Sequence, residues 1–164
     1  MTDISVLILI GSDSDVPVMQ PAADLLNELG VPCEMTVASA HRSPARVQRL
    51  LAEAPARGVK VFIVGAGAAA HLGGMVAAHT TRPVIGVPID SSALKGLDAL
   101  LSTVQMPPGV PVATVSIGKP GATNAAVLAA QMIALGDEAL AARLEQYKAQ
   151  LAQKVEKAAE KLRN

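Results

Sequence analysis

A single α/β domain, with one five-stranded parallel sheet and helices on both faces, is what this 164-residue chain predicts, on three observations. Five short runs rich in Val and Ile alternate with longer stretches of helical periodicity, and parallel strands require crossovers of that kind. Loops rich in Gly, Ser and Asp follow the first three runs, at the strand ends where open α/β sheets hold their ligands. The composition is 51% hydrophobic against 17% charged, which excludes a disordered chain and supports a core that needs no disulfide or metal.

The elements follow in chain order. Residues 6–10 (VLILI) read as the first strand. Residues 16–29 read as a helix with Val18, Ala22, Leu25, Leu26 and Leu29 on one face, closed by Gly30. Pro21 removes a backbone donor inside it, so a late start or a kink is expected. Residues 33–37 read as the second strand. Ser43-Pro44 then supplies an N-cap oxygen and a proline at the first helical position, followed by the apolar stripe Val47, Leu50, Leu51 and Ala54.

Residues 61–81 contain no Asp, Glu, Lys or Arg, and these 21 positions have the length of a membrane span. Gly65, Gly67, Gly73, Gly74, His71 and His79 interrupt the stretch, and its first half is β-branched, so it reads as a strand (61–64), a tight loop and a helix. Strands at 84–87 and 112–116 complete the sheet. Residues 122–135 form an almost wholly apolar helix, expected to be buried on several sides or at a subunit interface. Residues 137–163 form a charged amphipathic helix with Leu140, Leu144, Leu151, Val155 and Leu162. The expected architecture is therefore three-layered and flavodoxin-like, with strand order 2-1-3-4-5. Residues 1–136 make the catalytic domain; residues 137–164 belong to the same domain or pack on a neighbouring subunit.

Several classes of function are excluded. Fourteen basic side chains balance fourteen acidic ones, and Phe62 and Tyr147 are the aromatic residues, so neither a phosphate-backbone surface nor a stacking platform for nucleic acid exists. Cys33 is alone and the three histidines fit no zinc spacing, so no metal is expected and a reducing cytoplasm is the expected compartment. Asp3, with no Lys or Arg before the first apolar run, argues against a secretory signal.

The three loops carry the chemistry. Gly11-Ser12-Asp13-Ser14-Asp15 opens the first helix with hydroxyls and N–H groups suited to phosphate and carboxylates suited to a sugar diol, although ordinary capping accounts for part of it. Ser39-Ala40-His41-Arg42-Ser43-Pro44 places an imidazole, which exchanges protons near neutrality, beside a guanidinium that grips phosphate bidentately. In residues 65–75 (GAGAAAHLGGM) small side chains let a ligand reach the backbone, whose N–H groups can hold a carboxylate. That loop also matches G-x-G-x-x-A with Asp90 about 20 residues on, a dinucleotide pattern, but it follows the third strand rather than the first. A receiver domain is excluded because no aspartate ends the third strand. A Walker loop is excluded because Ala113 and Pro120 stand where glycine and Ser/Thr are required. His79 reads as structural.

Together GSDSD, SAHRSP, GAGAAAHLGGM, VQMPPGVPV (104–112) and IGKPGATNAA (117–126) resemble the PurE family of purine biosynthesis, over about residues 6–135. Arg42 directly after His41 is similar to the class I enzymes, the N5-carboxyaminoimidazole ribonucleotide mutases; the class that takes free carbon dioxide typically has Lys there. The resemblance implies a proton shuttle at His41. It implies phosphate contacts from Ser12, Ser39 and Arg42, ribose contacts from Asp15, and further substrate contacts from Ser14, Gly67, Ala70 and His71. It also implies no cofactor, and a homo-octamer whose sites neighbouring subunits complete, with the loop at 105–109 near a neighbour's site. Two positions depart from the family's usual GAGGAAHLPGM: Ala68 replaces a glycine, and Gly73 replaces a proline and should loosen the loop. The alternatives are a carboxylase that uses free carbon dioxide, or a flavodoxin-like protein that binds a nucleotide or flavin without catalysis.

Overall fold

A computed structural model describes residues 3–163. Residues 1, 2 and 164, the outer ends of the two expected segments, lie outside the described residues. The sheet has five strands, β1 (Val6–Ile10), β2 (Cys33–Val37), β3 (Val61–Gly67), β4 (Val84–Ile89) and β5 (Ala113–Thr114), all parallel in the order β2-β1-β3-β4-β5. The helices are α1 (Val16–Glu28), α2 (Pro44–Glu53), α3 (His71–Ala78), α4 (Leu97–Val104), α5 (Lys119–Ala134) and α6 (Glu138–Lys161).

Pleating divides the apolar strand residues between two cores. Val6, Ile8 and Ile10 of β1, with Ile63 and Ile85, pack against α1, α5 and the start of α6. Leu7, Leu9, Phe62 and Val64 face the other way, toward α2, α3 and α4. All five residues of β1 are buried, because the strand is central and covered on both faces. The α2 stripe is buried as its spacing requires. On α1, Met19 is fully buried with Ala22 and Leu26, whereas Val18 is half-buried.

Several local expectations are corrected. The α1 helix begins at Val16, not late, with Pro17 in its first turn and Pro21 inside it, where Pro21 leaves one carbonyl without its intrahelical donor. Ser43 stands at the cap of α2 but makes no side-chain cap bond. Its Oγ instead accepts from Ser39 N at 3.2 Å, folding the loop onto itself. Strands β3 and β4 run further than their apolar letters, and β5 keeps only two residues. Gly73 falls inside the first turn of α3 rather than in a loop, buried among side chains. The 61–81 stretch divides into β3, a loop and α3, and among the described residues no helix is long and apolar enough to cross a membrane.

At the edge strand β2, Ala38 N donates inward to Ile10 O, so the preceding carbonyl, Val37 O, points away from the sheet. Arg46 covers it, with Nε 2.8 Å from Val37 O and Nη2 2.9 Å from Thr36 Oγ1, while Arg57 pairs with Glu34. The α6 helix starts on an Asp137 cap, whose Oδ1 accepts from Leu140 N at 2.9 Å, and buries Leu140 in the core. Its later apolar residues Leu151, Val155 and Leu162 are exposed.

Candidate active site

Parallel strands deliver all their C-terminal ends to one edge of the sheet, and strand order makes β2, β1 and β3 neighbours there. After β1 the chain makes a 3₁₀ turn at Asp13–Asp15, closed by a capping box in which Ser12 Oγ accepts from Ser14 N and Asp15 Oδ2 accepts from Ser12 N at 3.0 Å. Ser14 Oγ donates to Ser12 Oγ at 3.0 Å, and Ser12 Oγ donates to Asp13 Oδ1 at 3.0 Å. The capping reading is thus realised for Ser12 and Asp15, while Ser14 is exposed at the crevice. Asp15 is buried, and that desolvation raises its carboxyl above the ordinary aspartate range. The Ser12 N–H opposes the rise, Asp13 adds to it and the Arg42 charge again opposes it.

The loop after β2 is tied to its neighbours. Ser39 Oγ accepts from Arg42 N at 3.1 Å, and Arg42 Nη2 donates to Gly11 O at 3.2 Å, which sets the guanidinium beside the Ser12 turn. Only one of its five N–H groups is used in that bond, so the fork keeps donors for an anion. His41 Nε2 lies 2.6 Å from His71 Nδ1, at the first turn of α3, with the rings edge to face at 84°. Such a contact needs an N–H on one ring and a lone pair on the other, so the pair cannot hold a proton on every nitrogen while it lasts. His41 Nδ1 and His71 Nε2 remain as its outward nitrogens.

After β3 the backbone turns at Ala68 and Ala70, both left-handed at φ 51° and 46°. Ala70 N donates to Gly67 O at 3.0 Å. Both glycines of the supposed dinucleotide pattern lie within β3, where neither makes the phosphate turn that pattern needs. Gly65 is bare because a Cβ there would meet Met19 Sδ at 2.7 Å. His79 stands outside the crevice, its Nδ1 2.8 Å from Met75 O.

The three loops enclose one open crevice of about 320 Å³, lined by every candidate residue: Ser12, Ser14, Asp15, Ser39, His41, Arg42, Gly67, Ala70 and His71. The hydroxyls of Ser12, Ser14 and Ser39, the Arg42 guanidinium, and the small residues Gly67 and Ala70 thus line the same crevice as the imidazole pair. Among the described residues no group of three His, Cys, Asp or Glu side chains is placed to hold a metal ion. The profile of the AIR carboxylase family matches residues 5–154.

The chain belongs to the AIR carboxylase family. Members similar to it include the N5-carboxyaminoimidazole ribonucleotide mutase of Bacillus subtilis, 58% identical over 139 residues that cover 85% of this chain and 86% of the relative. The phosphoribosylaminoimidazole carboxylase of Saccharomyces cerevisiae is 52% identical over 140 residues, 85% of this chain but only 24% of that longer protein. In three dimensions the crystal structure of Treponema denticola PurE overlays with a TM-score of 0.86 at 31% identity, covering 97% of this chain and 98% of that one. Within this AIR carboxylase framework, one crevice residue lies outside the three motifs: Ser91, just past β4. Its signal was positional, since the fourth parallel strand ends at the same edge as the others.

Proposed function

We propose that this protein isomerises N5-carboxyaminoimidazole ribonucleotide to 4-carboxyaminoimidazole ribonucleotide by decarboxylation and recarboxylation within one crevice. The observation that carries the reading is the His41–His71 contact at 2.6 Å, set between the Ser12/Arg42 cluster and the small-residue wall. The phosphate is held by Ser12, Ser39 and Arg42, the ribose by Asp15, and Ser14 makes a further substrate contact. His41 gives a proton to the carbamate nitrogen, the N–C bond breaks, and carbon dioxide and an enamine-like aminoimidazole result. C4 then forms a bond to the carbon dioxide, and loss of the C4 proton to His41 restores the aromatic ring. One proton is lent and returned, so the step balances without a co-reactant. General acid–base help of this kind contributes about 10²- to 10⁴-fold, and retaining both fragments adds an entropic advantage.

The role of His71 is to take up or supply the shared proton at His41 Nε2 and to fix that ring. The mutase names of relatives matched over most of their own length support the reading, and Arg42 after His41 favours it over the free-carbon-dioxide reaction. The test is to assay the N5-carboxylated ribonucleotide beside the decarboxylated form with bicarbonate. His41→Asn should lose at least 10²-fold in turnover while still binding the ribonucleotide; near-normal turnover refutes the assignment.

A homo-octamer is the assembly we assign. Leu97, Leu101 and Val104 form an exposed apolar stripe along α4, with Leu94 just before it, and α6 carries exposed Leu151 and Val155, with Leu162 just past its end. Sedimentation as a single eight-chain species supports this, and a monomer refutes it. A reducing cytoplasm suits the unpaired, half-buried Cys33.

A further inference from the structure

The fourth strand end brings to the crevice a hydroxyl that the three loops do not account for. Ser91 lines the same crevice as His41, Gly67 and His71. Gly67 sits opposite Ile89 in the β3–β4 register, two residues before Ser91. A Cβ on Gly67 would stand 1.9 Å from Ser91 Oγ and 2.8 Å from Ser91 Cβ, so the bare glycine is what lets this hydroxyl reach the end of β3. Nearby hydroxyls are already engaged: Ser92 Oγ accepts from Leu94 N at 3.2 Å, and Ser102 Oγ donates to Ala69 O. Among the described residues Ser91 Oγ has no hydrogen-bond partner. The same crevice lining includes the apolar Ala66, Ala70 and Leu72.

We propose that Ser91 is a substrate-binding residue whose hydroxyl donates a hydrogen bond to the migrating carboxyl group. The proposal rests on the mutase reading above and names where in the crevice that group is held. A carboxylate accepts an O–H donor strongly, whereas neutral carbon dioxide is a weak acceptor. The hydroxyl therefore holds the group while it is attached to nitrogen or to C4, and favours recapture over escape in between.

The experiment supplies N5-carboxylated ribonucleotide carrying ¹³C in its carboxyl group, in unlabelled bicarbonate, and measures the label in the 4-carboxy product. Wild-type enzyme should retain most of the label. Ser91→Ala should lose at least threefold more of it, with lower turnover and little change in KM. Ser91→Thr, which keeps a hydroxyl, should recover retention. Ser91 is exposed, so alanine removes no buried contact, and far-UV circular dichroism checks the fold. Equal retention and turnover in Ser91→Ala and wild type, or a threonine variant no better than alanine, overturns the proposal. A wild-type protein that forms no 4-carboxy product overturns instead the mutase reading beneath it.

Discussion

Ala68 and Ala70 share a loop and a left-handed backbone, with φ of 51° and 46°, yet replacing each by glycine should have different consequences. An L-residue in that region costs roughly 1–2 kcal/mol. Glycine removes this strain but gives the unfolded chain extra freedom worth roughly 0.4–1 kcal/mol. Ala68 is exposed, so nothing else changes, and Ala68→Gly should stabilise the fold by about 0.8 kcal/mol. Ala70 is only 5% exposed and belongs to the core beside α2 and α3. Deleting its methyl forfeits about 0.8 kcal/mol of burial, which brings Ala70→Gly to about zero. In a chain of this size the Ala68 gain corresponds to a rise of about 2–3 °C in Tm. Urea and thermal unfolding at one fixed protein concentration, to hold any assembly constant, measure both variants. An Ala68→Gly protein no more stable than wild type, or an Ala70→Gly protein stabilised more than it, would refute the strain argument.

Arg42→Ala should raise KM about 10- to 100-fold through loss of charge-assisted hydrogen bonds, with a smaller effect on kcat; steady-state kinetics with an unchanged KM would count against the phosphate role. Asp15 has a folded-state pKa raised above 3.8, so its protonated form favours folding, and its contribution is present below about pH 3.8 and lost as pH rises through the raised value. Asp15→Asn keeps an oxygen for the Ser12 N–H without the desolvated charge. It should be at least as stable as wild type at pH 7, with the gap narrowing near pH 3.5 in urea titrations, and a large destabilisation at pH 7 contradicts this. At the start of α5, a Cβ on Gly121 would lie 1.6 Å from Ser116 O, a backbone atom rather than the end of a flexible side chain. Gly121→Ala should therefore cost about 3 kcal/mol, read from its urea midpoint, and wild-type stability would show that the contact relaxes.

The sheet order was legible because β1, β3 and β4 are buried on both faces and therefore spell unbroken apolar runs. Its consequence, that the loops after β1, β2 and β3 converge, located the crevice before any coordinates. What stayed hidden was set by contacts distant in sequence. No local pattern distinguishes Ser43 as a cap from Ser43 as a brace on Ser39, since both use the same oxygen. The pairing of His41 with His71 joins residues thirty apart in the chain through the geometry of β3 and α3. Ser91 escaped notice because its loop carries no motif, and Gly67 looked like a ligand-approach glycine when its immediate steric reason is Ser91. The β5 strand was overestimated because Val112 and Val115 pack against the two cores while the strand itself stops at Thr114, with Val115 N making a last bond to Gly86 O.

The two arginines that reach β2, Arg46 from α2 and Arg57 from the turn after it, act on the edge of the sheet rather than on the crevice. A sheet margin with free carbonyls invites a strand from another molecule, and growth in that direction ends in fibrils. With Arg46 occupying Val37 O and Arg57 holding Glu34, this margin offers a foreign strand a charged, already occupied surface. A protein stripped of both guanidinium groups would therefore be the one to watch for turbidity on standing.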